Sequence, residues 1–210
     1  MAFDTLLKSP EQKKPGTREE PTITAIQENF LYLLKKRPIE KISVAELCQR
    51  CQINRSTFYR HYADLYALLD SIVEEAHSHL FYDVIRKVDL REDFDEVGYQ
   101  YILKVCETTE KQKELYRLLL FGKTSTGLYD RMTESSYQLY EMAHEGPSAM
   151  RPSEDAPLHY RFLVNGMIGV WAAWVRDGCK TPKERVARAM QEQIIGFYQT
   201  MGRLFGKNAG

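Results

Sequence analysis

Six of the seven residues from 55 to 61 carry side chains that can bind phosphates or the edges of nucleic-acid bases. They are Arg55, Ser56, Thr57, Tyr59, Arg60 and His61. A guanidinium can fork onto guanine or hold a phosphate, a hydroxyl can donate to a phosphate, and a threonine methyl can touch the methyl of thymine. Phe58 and Tyr62 are four positions apart, so on a helix both would face inward as anchors. The spacing predicts a short helix with one face for a polymeric anion and one face for the core.

A second short helix is expected to position the first. Ser43 is a good N-cap and Glu46 follows three residues later, so the segment Ser-Val-Ala-Glu predicts a capping box. This helix should end near Cys51. A tight turn follows, and Asn54 is expected to cap the helix that runs to about Tyr62.

Two short helices joined by a tight turn are typical of a helix-turn-helix, whose second helix enters the DNA major groove. In that arrangement the start of the first helix lies across the DNA backbone, which adds Ser43 and Val44 to the DNA-binding candidates. An amphipathic helical hairpin with an ordinary polar face would have the same composition. The order of the residues therefore has to separate the two interpretations.

Charge is spread unevenly along a chain whose formal net charge is zero, with 29 basic and 29 acidic residues. Residues 22–62 contain seven Lys and Arg against three Glu, which gives +4 and leaves −4 for the remainder. Such asymmetry fits a basic reading head, residues 22–64, on an acidic body, residues 65–210. Residues 1–21 mix charges with prolines and are predicted to be a flexible arm; basic arms can reach a minor groove, but acidic residues dilute this one.

Nine helices and no strand are predicted, which makes the fold class all-α: a three-helix N-terminal domain and a C-terminal helical bundle. Apolar residues recur at helical spacing, and Gly, Pro and capping residues mark the ends. The predicted helices cover about 22–37, 43–51, 54–62, 64–87, 93–109, 113–121, 124–144, 153–177 and 181–205.

Neither a metal, a cofactor nor a membrane partner is predicted. Cys48 and Cys51 have a suggestive spacing, but a zinc or redox pair would need a second Cys/His pair or a preceding strand, so buried thiols are expected. No apolar run approaches the roughly 20 residues of a membrane span, and no signal-peptide core is present, which predicts a cytoplasmic protein.

From Ile42 to Leu69 the sequence resembles the N-terminal domain of TetR-family transcriptional regulators. That pattern is a capped helix, a turn, a hydrophobe, and a Thr-hydrophobe-Tyr-x-His/Tyr-aromatic segment leading into an apolar helix. The matching positions are Ser43, Leu47, Cys48, Ile53, Thr57, Phe58, Tyr59, His61, Tyr62, Leu65, Leu68 and Leu69. Two positions depart from the pattern: Gln52 stands where the family usually has glycine, and Leu65 where it usually has a phosphate-binding lysine.

The resemblance implies a dimer, because one helix-turn-helix reads only a few base pairs and two half-sites need two copies. The segment 162–178 resembles a C-terminal subclass in which the last two helices dimerise. Small and aromatic residues on these helices make up the expected interface, although the same stripes could be intramolecular core. They are Phe162, Gly166, Gly169, Trp171, Met190, Ile194, Phe197 and Met201.

The middle helices of this family often enclose a pocket for a small-molecule inducer. Aromatic residues at helical spacing are also ordinary core, so both interpretations stay open here. The candidate lining residues are Tyr101, Cys106, Tyr116, Tyr137 and His159.

The sequence has no phosphate loop, nucleophile elbow or metalloprotease helix, and an enzyme is not predicted. The expected function is a homodimeric regulator that binds a palindromic DNA operator, acts as a repressor and is released by an inducer. The alternative is a TetR-like co-regulator that binds a protein partner instead of DNA, which the departures at Gln52 and Leu65 favour.

Overall fold

The structure, a computed structural model, describes residues 20–85, 94–144 and 155–205, with some side chains near the ends of these ranges left out. The described residues form ten α-helices and no strand. They are α1 (Glu20–Lys36), α2 (Val44–Cys51), α3 (Arg55–His61), α4 (Leu65–Leu80), α5 (Tyr82–Ile85), α6 (Phe94–Lys111), α7 (Lys113–Phe121), α8 (Leu128–His144), α9 (Ala156–Arg176) and α10 (Lys183–Phe205). A 3-10 turn, Ile39–Lys41, links α1 to α2. The all-α prediction is confirmed, and the nine predicted helices all appear.

Three helix boundaries differ from the prediction for local reasons. Helix α1 begins at Glu20 rather than near residue 22, and the Thr24 hydroxyl donates to the Glu20 carbonyl within the helix. The fourth predicted helix breaks at Phe81 and continues as the single turn α5. Helix α8 begins at Leu128 rather than at Thr124, because Gly127 takes a φ of 72° and ends the loop there.

The predicted arm, residues 1–21, lies outside the described residues except for its last two, which belong to α1. The predicted starts of two later helices, at Asp93 and Ser153, also fall outside the described residues. Within the described ranges, no helix is both long and apolar enough to cross a membrane.

One apolar core runs through the reading head and the body. Buried residues of α1, α2 and α3, such as Ile26, Leu47 and Phe58, belong to the same cluster as Leu68 of α4 and Tyr116 of α7. Helix α4 therefore serves both parts, since its buried face completes the core of the head and begins that of the body.

Helices α9 and α10 are fixed to the body through α6. The Trp171 indole N–H donates to the Thr109 hydroxyl at 2.9 Å, and its ring meets Tyr116 edge to face at 6.1 Å. Gln191 of α10 is buried and donates to the Asp95 carbonyl at 2.8 Å. It lies so close to Gly98 that a Cβ there would sit 2.6 Å from the Gln191 side chain, so the two helices approach closely at this crossing.

Candidate nucleic-acid interface

The first helix of the predicted pair begins as expected but forms half of its capping box. The Ser43 hydroxyl accepts from the Glu46 N–H at 3.2 Å, which satisfies one exposed donor of α2. The Glu46 carboxylate pairs with Arg37 instead of returning to Ser43. Glu46 thereby ties the start of α2 to the end of α1.

The turn between α2 and α3 forms around a residue with a left-handed backbone. Gln52 has φ 55° and ψ 40°, and its N–H donates to the carbonyls of Cys48 and Gln49. The Ile53 N–H donates to the Cys48 carbonyl at 3.0 Å. Gln52 therefore occupies the conformation for which glycine is favoured, and the turn keeps its geometry without glycine.

Helix α3 is anchored by the two aromatic residues that the spacing predicts. Phe58 is fully buried, Tyr62 is half-buried, and their ring centroids are 5.9 Å apart. Burial also raises the pKa of the Tyr62 phenol, so that hydroxyl stays protonated. These anchors determine which residues of α3 face outward.

The outward face of α3 carries four of the six predicted DNA-binding residues. Arg55, Ser56, Tyr59 and Arg60 are exposed, with 55% of Tyr59 accessible. Thr57 is half-buried, which leaves part of its side chain accessible. Ser43 is exposed and Val44 half-buried at the start of α2, so both lie at the surface.

His61 is less available than its position in the sequence suggests. The residue is half-buried, and its Nε2 atom is shielded from solvent without a hydrogen-bond partner within the described part of the chain. Only Nδ1 then remains to reach a phosphate.

Asn54 is a candidate that the sequence argument missed, because the residue was assigned to capping. Its backbone carbonyl accepts from the N–H groups of Thr57 and Phe58, but its side chain makes no capping bond and is exposed. A free amide beside the recognition helix can pair with adenine or with a phosphate. Its exposed position directly before α3 was the available signal.

Leu65 cannot replace the phosphate-binding lysine of the resembled family. It is the first residue of α4, is 7% exposed and belongs to the core. Asp64 caps this helix by accepting from the Ala67 N–H at 2.8 Å. The neighbouring Tyr66 is 57% exposed, so its hydroxyl is accessible.

The basic character of the reading head is largely at its surface. The exposed cations of this region are Lys35, Lys36, Lys41, Arg50, Arg55 and Arg60. Two of them are held by Tyr32: Lys36 donates to its hydroxyl, and the Arg50 guanidinium lies 3.9 Å from its ring centroid. The hydrogen bond from Lys36 lowers the pKa of Tyr32. An exposed cationic surface of this kind attracts phosphates.

The two cysteines of α2 are buried to different degrees, Cys48 fully and Cys51 in part. Cys48 is buried, and the Cys51 thiol donates to the Ala25 carbonyl at 3.6 Å. Burial raises the pKa of both thiols, so neither is a ready thiolate. Among the described residues, no group of three or more His, Cys, Asp or Glu side chains could hold a metal ion.

Two of the predicted interface residues on the last helices are in the wrong place. Trp171 is 2% exposed and Met190 7%, and both belong to the core of their own chain. An apolar stripe that contacts a partner and one that fills the core have the same periodicity, so the sequence does not distinguish them. Neither side chain can reach a second subunit.

The rest of the predicted interface is accessible to different degrees. Phe162 is 84% exposed, and a Cβ added at Gly166 or Gly169 would meet nothing within 4 Å. Ile194 and Phe197 are half-buried, whereas the Met201 side chain lies outside the description. Three further exposed apolar residues continue the face of α9: Leu158, Val170 and Ala173.

The predicted pocket residues do not share a common environment. Tyr116 and Cys106 are buried, and burial raises the pKa of the Cys106 thiol to about 12. Tyr101 is half-buried, and burial raises the pKa of its phenol as well. Tyr137 stacks under the Arg161 guanidinium at 4.0 Å. His159 is exposed, unlike the buried Tyr116 and Cys106.

A cleft lies elsewhere, between α1, α7 and the loop that follows α7. It is partly open to solvent and has room for about one water-sized molecule. Its lining residues are Leu34, Leu118, Leu119, Gly122, Lys123, Thr124 and Thr126.

Comparison with known families matches residues 96–196, which span α6 to most of α10, to a TetR-type family described as "Transcriptional regulator C-terminal region". Among curated proteins, no sequence matches the chain.

Several solved structures have a similar fold. A TetR transcriptional regulator from Streptococcus agalactiae is 22% identical with a TM-score of 0.59, covering 83% of this chain and 94% of that one. NalD, the secondary repressor of a multidrug efflux pump in Pseudomonas aeruginosa, is 16% identical with a TM-score of 0.61, covering 85% and 97%. DhaS, a dihydroxyacetone kinase operon activator, is 16% identical with a TM-score of 0.54, covering 86% and 96%.

Proposed function

Because the chain belongs to the TetR family of transcriptional regulators, we propose that it is a homodimer that binds a palindromic DNA operator through α2 and α3. The observation that supports this most is the outward face of α3. Arg55, Ser56 and Tyr59 project from a seven-residue helix that the buried Phe58 holds in place. This is the arrangement with which a recognition helix presents side chains to base edges and phosphates.

Dimerisation is supported by the exposed apolar face of α9. Leu158, Phe162, Gly166, Gly169 and Ala173 recur at spacings of four, four, three and four, which places them on one side of the helix. Large exposed apolar surfaces mark sites of association, and the two glycines allow a partner helix to approach closely. Ile194 and Phe197 of α10 are half-buried, so part of each side chain is also accessible.

DNA binding can be tested with the double-stranded DNA upstream of the protein's own gene, or with fragments selected from genomic DNA. Arg55→Ala and Tyr59→Ala should each weaken specific binding at least tenfold, because each contact is worth roughly 1–3 kcal/mol and occurs in both half-sites. Arg185→Ala is the matched control, since Arg185 is an exposed arginine in the first turn of α10. Unchanged specific binding by both α3 variants, with the dimer intact, would overturn the site assignment.

The co-regulator alternative is favoured by the burial of Leu65, which removes one phosphate contact of the resembled family. Losing one such contact weakens binding and lowers its salt dependence by about one unit per site, and does not abolish it. We therefore place DNA binding first. A dimer that enriches no genomic fragment would favour the co-regulator.

We propose repression as the output and a small molecule as the releasing signal, in a protein that works in the cytoplasm. Relatives in fold include one described as a repressor and one described as an activator. Transcription measured from the bound promoter with and without the protein shows whether the protein represses or activates. Tyr101, Cys106, Tyr116 and Tyr137 are the candidate pocket residues that are buried or half-buried, and substitutions there should change the response to an inducer and leave operator affinity unchanged.

A further inference from the structure

The loop between α7 and α8, residues 122–127, holds the reading head at two polar points. The Lys123 Nζ donates to the Lys36 carbonyl at 2.8 Å, and the Ile39 N–H donates to the Thr124 hydroxyl at 3.0 Å. Lys36 is the last residue of α1, where a helix carbonyl has no partner within the helix and a cation is favourable. We call these two hydrogen bonds the clasp.

The loop is itself fastened to α7. The Thr126 hydroxyl donates to the Leu119 carbonyl at 2.7 Å and accepts from the Leu128 N–H at 3.3 Å. The Gly122 N–H donates to the Leu118 carbonyl at 2.9 Å, and a Cβ at Gly122 would lie 2.4 Å from that oxygen. Lys123 and Thr124 are therefore presented from a fixed support.

The clasp acts where the chain enters the helix-turn-helix. Ile39 is buried and begins the 3-10 turn that leads directly to Ser43, the cap of α2. A shift of this turn moves the start of α2 and, through the anchored α3, the recognition face. On its other side, the reading head continues directly into α4.

Apolar packing beside the clasp is closed. Leu34 of α1 and Leu119 of α7 are buried in the same core cluster, and Leu118 packs against it. Apolar burial is non-directional, whereas a hydrogen bond has a preferred geometry, so the clasp adds an orientation to this contact that packing alone does not fix.

We propose that Lys123 and Thr124 are positioning residues, which keep the reading head in the orientation that the operator requires. The proposal rests on the proposed function. A dimer must place its two recognition helices about 34–36 Å apart, or a multiple, to meet successive half-sites. When some reading heads leave that orientation, the apparent affinity for the operator is the intrinsic affinity multiplied by the fraction of molecules that remain competent to bind.

The expected loss follows from the strength of one hydrogen bond. A bond of ordinary net strength biases an equilibrium by roughly a factor of five. Because a dimer has two heads, removing one clasp bond should weaken operator binding by at most about 25-fold, and a loss of about three- to tenfold is expected.

The test uses Thr124→Val, which keeps the shape of the side chain and removes the acceptor, and Lys123→Met, which keeps the aliphatic stem. Lys180→Met is the matched control, because Lys180 is an exposed lysine between α9 and α10 and loses the same charge. Operator affinity is measured across a salt series, and hydrogen exchange of the Ile39 amide is measured in the absence of DNA.

Thr124→Val should speed exchange at Ile39 and weaken operator binding, and Lys123→Met should weaken binding with an unchanged salt slope. A slope lowered by about one unit per subunit in Lys123→Met would mean that Lys123 touches a phosphate, which overturns its positioning role. Unchanged exchange at Ile39, or unchanged affinity despite faster exchange, also overturns the proposal. If the wild-type protein binds no DNA, the proposed function fails and the positioning role fails with it. If the wild-type protein binds DNA and both variants bind it equally well, the positioning role alone fails.

Discussion

Replacing Gln52 by glycine should stabilise the protein, although Gln52 makes the turn of the helix-turn-helix. Its φ of 55° and ψ of 40° lie in the left-handed region. A side chain with a Cβ pays roughly 1–2 kcal/mol to stay there, whereas glycine enters the region freely. Glycine also gains roughly 0.5–1 kcal/mol of entropy in the unfolded chain, which opposes the benefit. The net expectation is a gain of about 0.5–1 kcal/mol.

For a chain of this length, such a gain should raise the unfolding midpoint temperature by about 1–4 °C. Urea unfolding should show a higher midpoint with an unchanged m-value, since the change is local. The Gln52 backbone N–H donates to the carbonyls of Cys48 and Gln49. Gln52→Gly retains both hydrogen bonds, because neither uses the side chain.

Gln49→Gly is the matched control, because Gln49 is an exposed glutamine of α2 three residues earlier. It makes the same chemical change in a right-handed helix and should destabilise by about 0.5–1 kcal/mol. Gln52→Ala keeps the Cβ and should give no gain. If Gln52→Gly lowers stability as much as Gln49→Gly does, the left-handed turn is not formed in solution and the reasoning is refuted.

Two further predictions concern the body. Phe162→Glu should convert the dimer to monomers in light scattering while far-UV circular dichroism is retained, because the side chain is 84% exposed in the subunit; a variant that stays dimeric would remove Phe162 from the interface. Burial lowers the pKa of His77, whose Nε2 lies 2.9 Å from the Ser135 hydroxyl on α8, near the charges of Glu74 and Arg131. The unfolded chain therefore binds a proton that the folded chain does not, so the free energy of unfolding should fall as pH drops below about 6.5. In His77→Phe, the urea unfolding midpoint should depend less on pH between pH 5 and 7 than in wild type. An equal pH dependence in both proteins would contradict this assignment.

Helix positions and the outward face of α3 could be predicted because their causes are local. Ser43 and Asp64 cap the helices that they precede, and Phe58 is buried where a four-residue spacing with Tyr62 requires it. Capping and periodicity act over one or two turns, so they can be recognised in the sequence itself.

What could not be predicted depends on tertiary packing. Trp171 and Met190 carry the same stripe pattern as interface residues, and only the position of α6 reveals that they fill the subunit's own core. The clasp joins Lys123 and Thr124 to residues more than 80 positions away, and no local pattern in the sequence indicates this pairing. The sequence predicts the tight turn but not its left-handed backbone at Gln52, because a residue other than glycine gives no local signal for that region.

The shared core has a consequence for building chimeric regulators. A recombination point at residues 64/65 follows the usual limit of a helix-turn-helix, yet it would separate Phe58 from Leu65 and Leu68, which belong to one apolar cluster. A transplanted head would then rest on a foreign α4 whose side chains were selected for other neighbours. Exchange of DNA specificity should succeed when the donor supplies α1 through α4 as one module, with Lys123 and Thr124 matched to it.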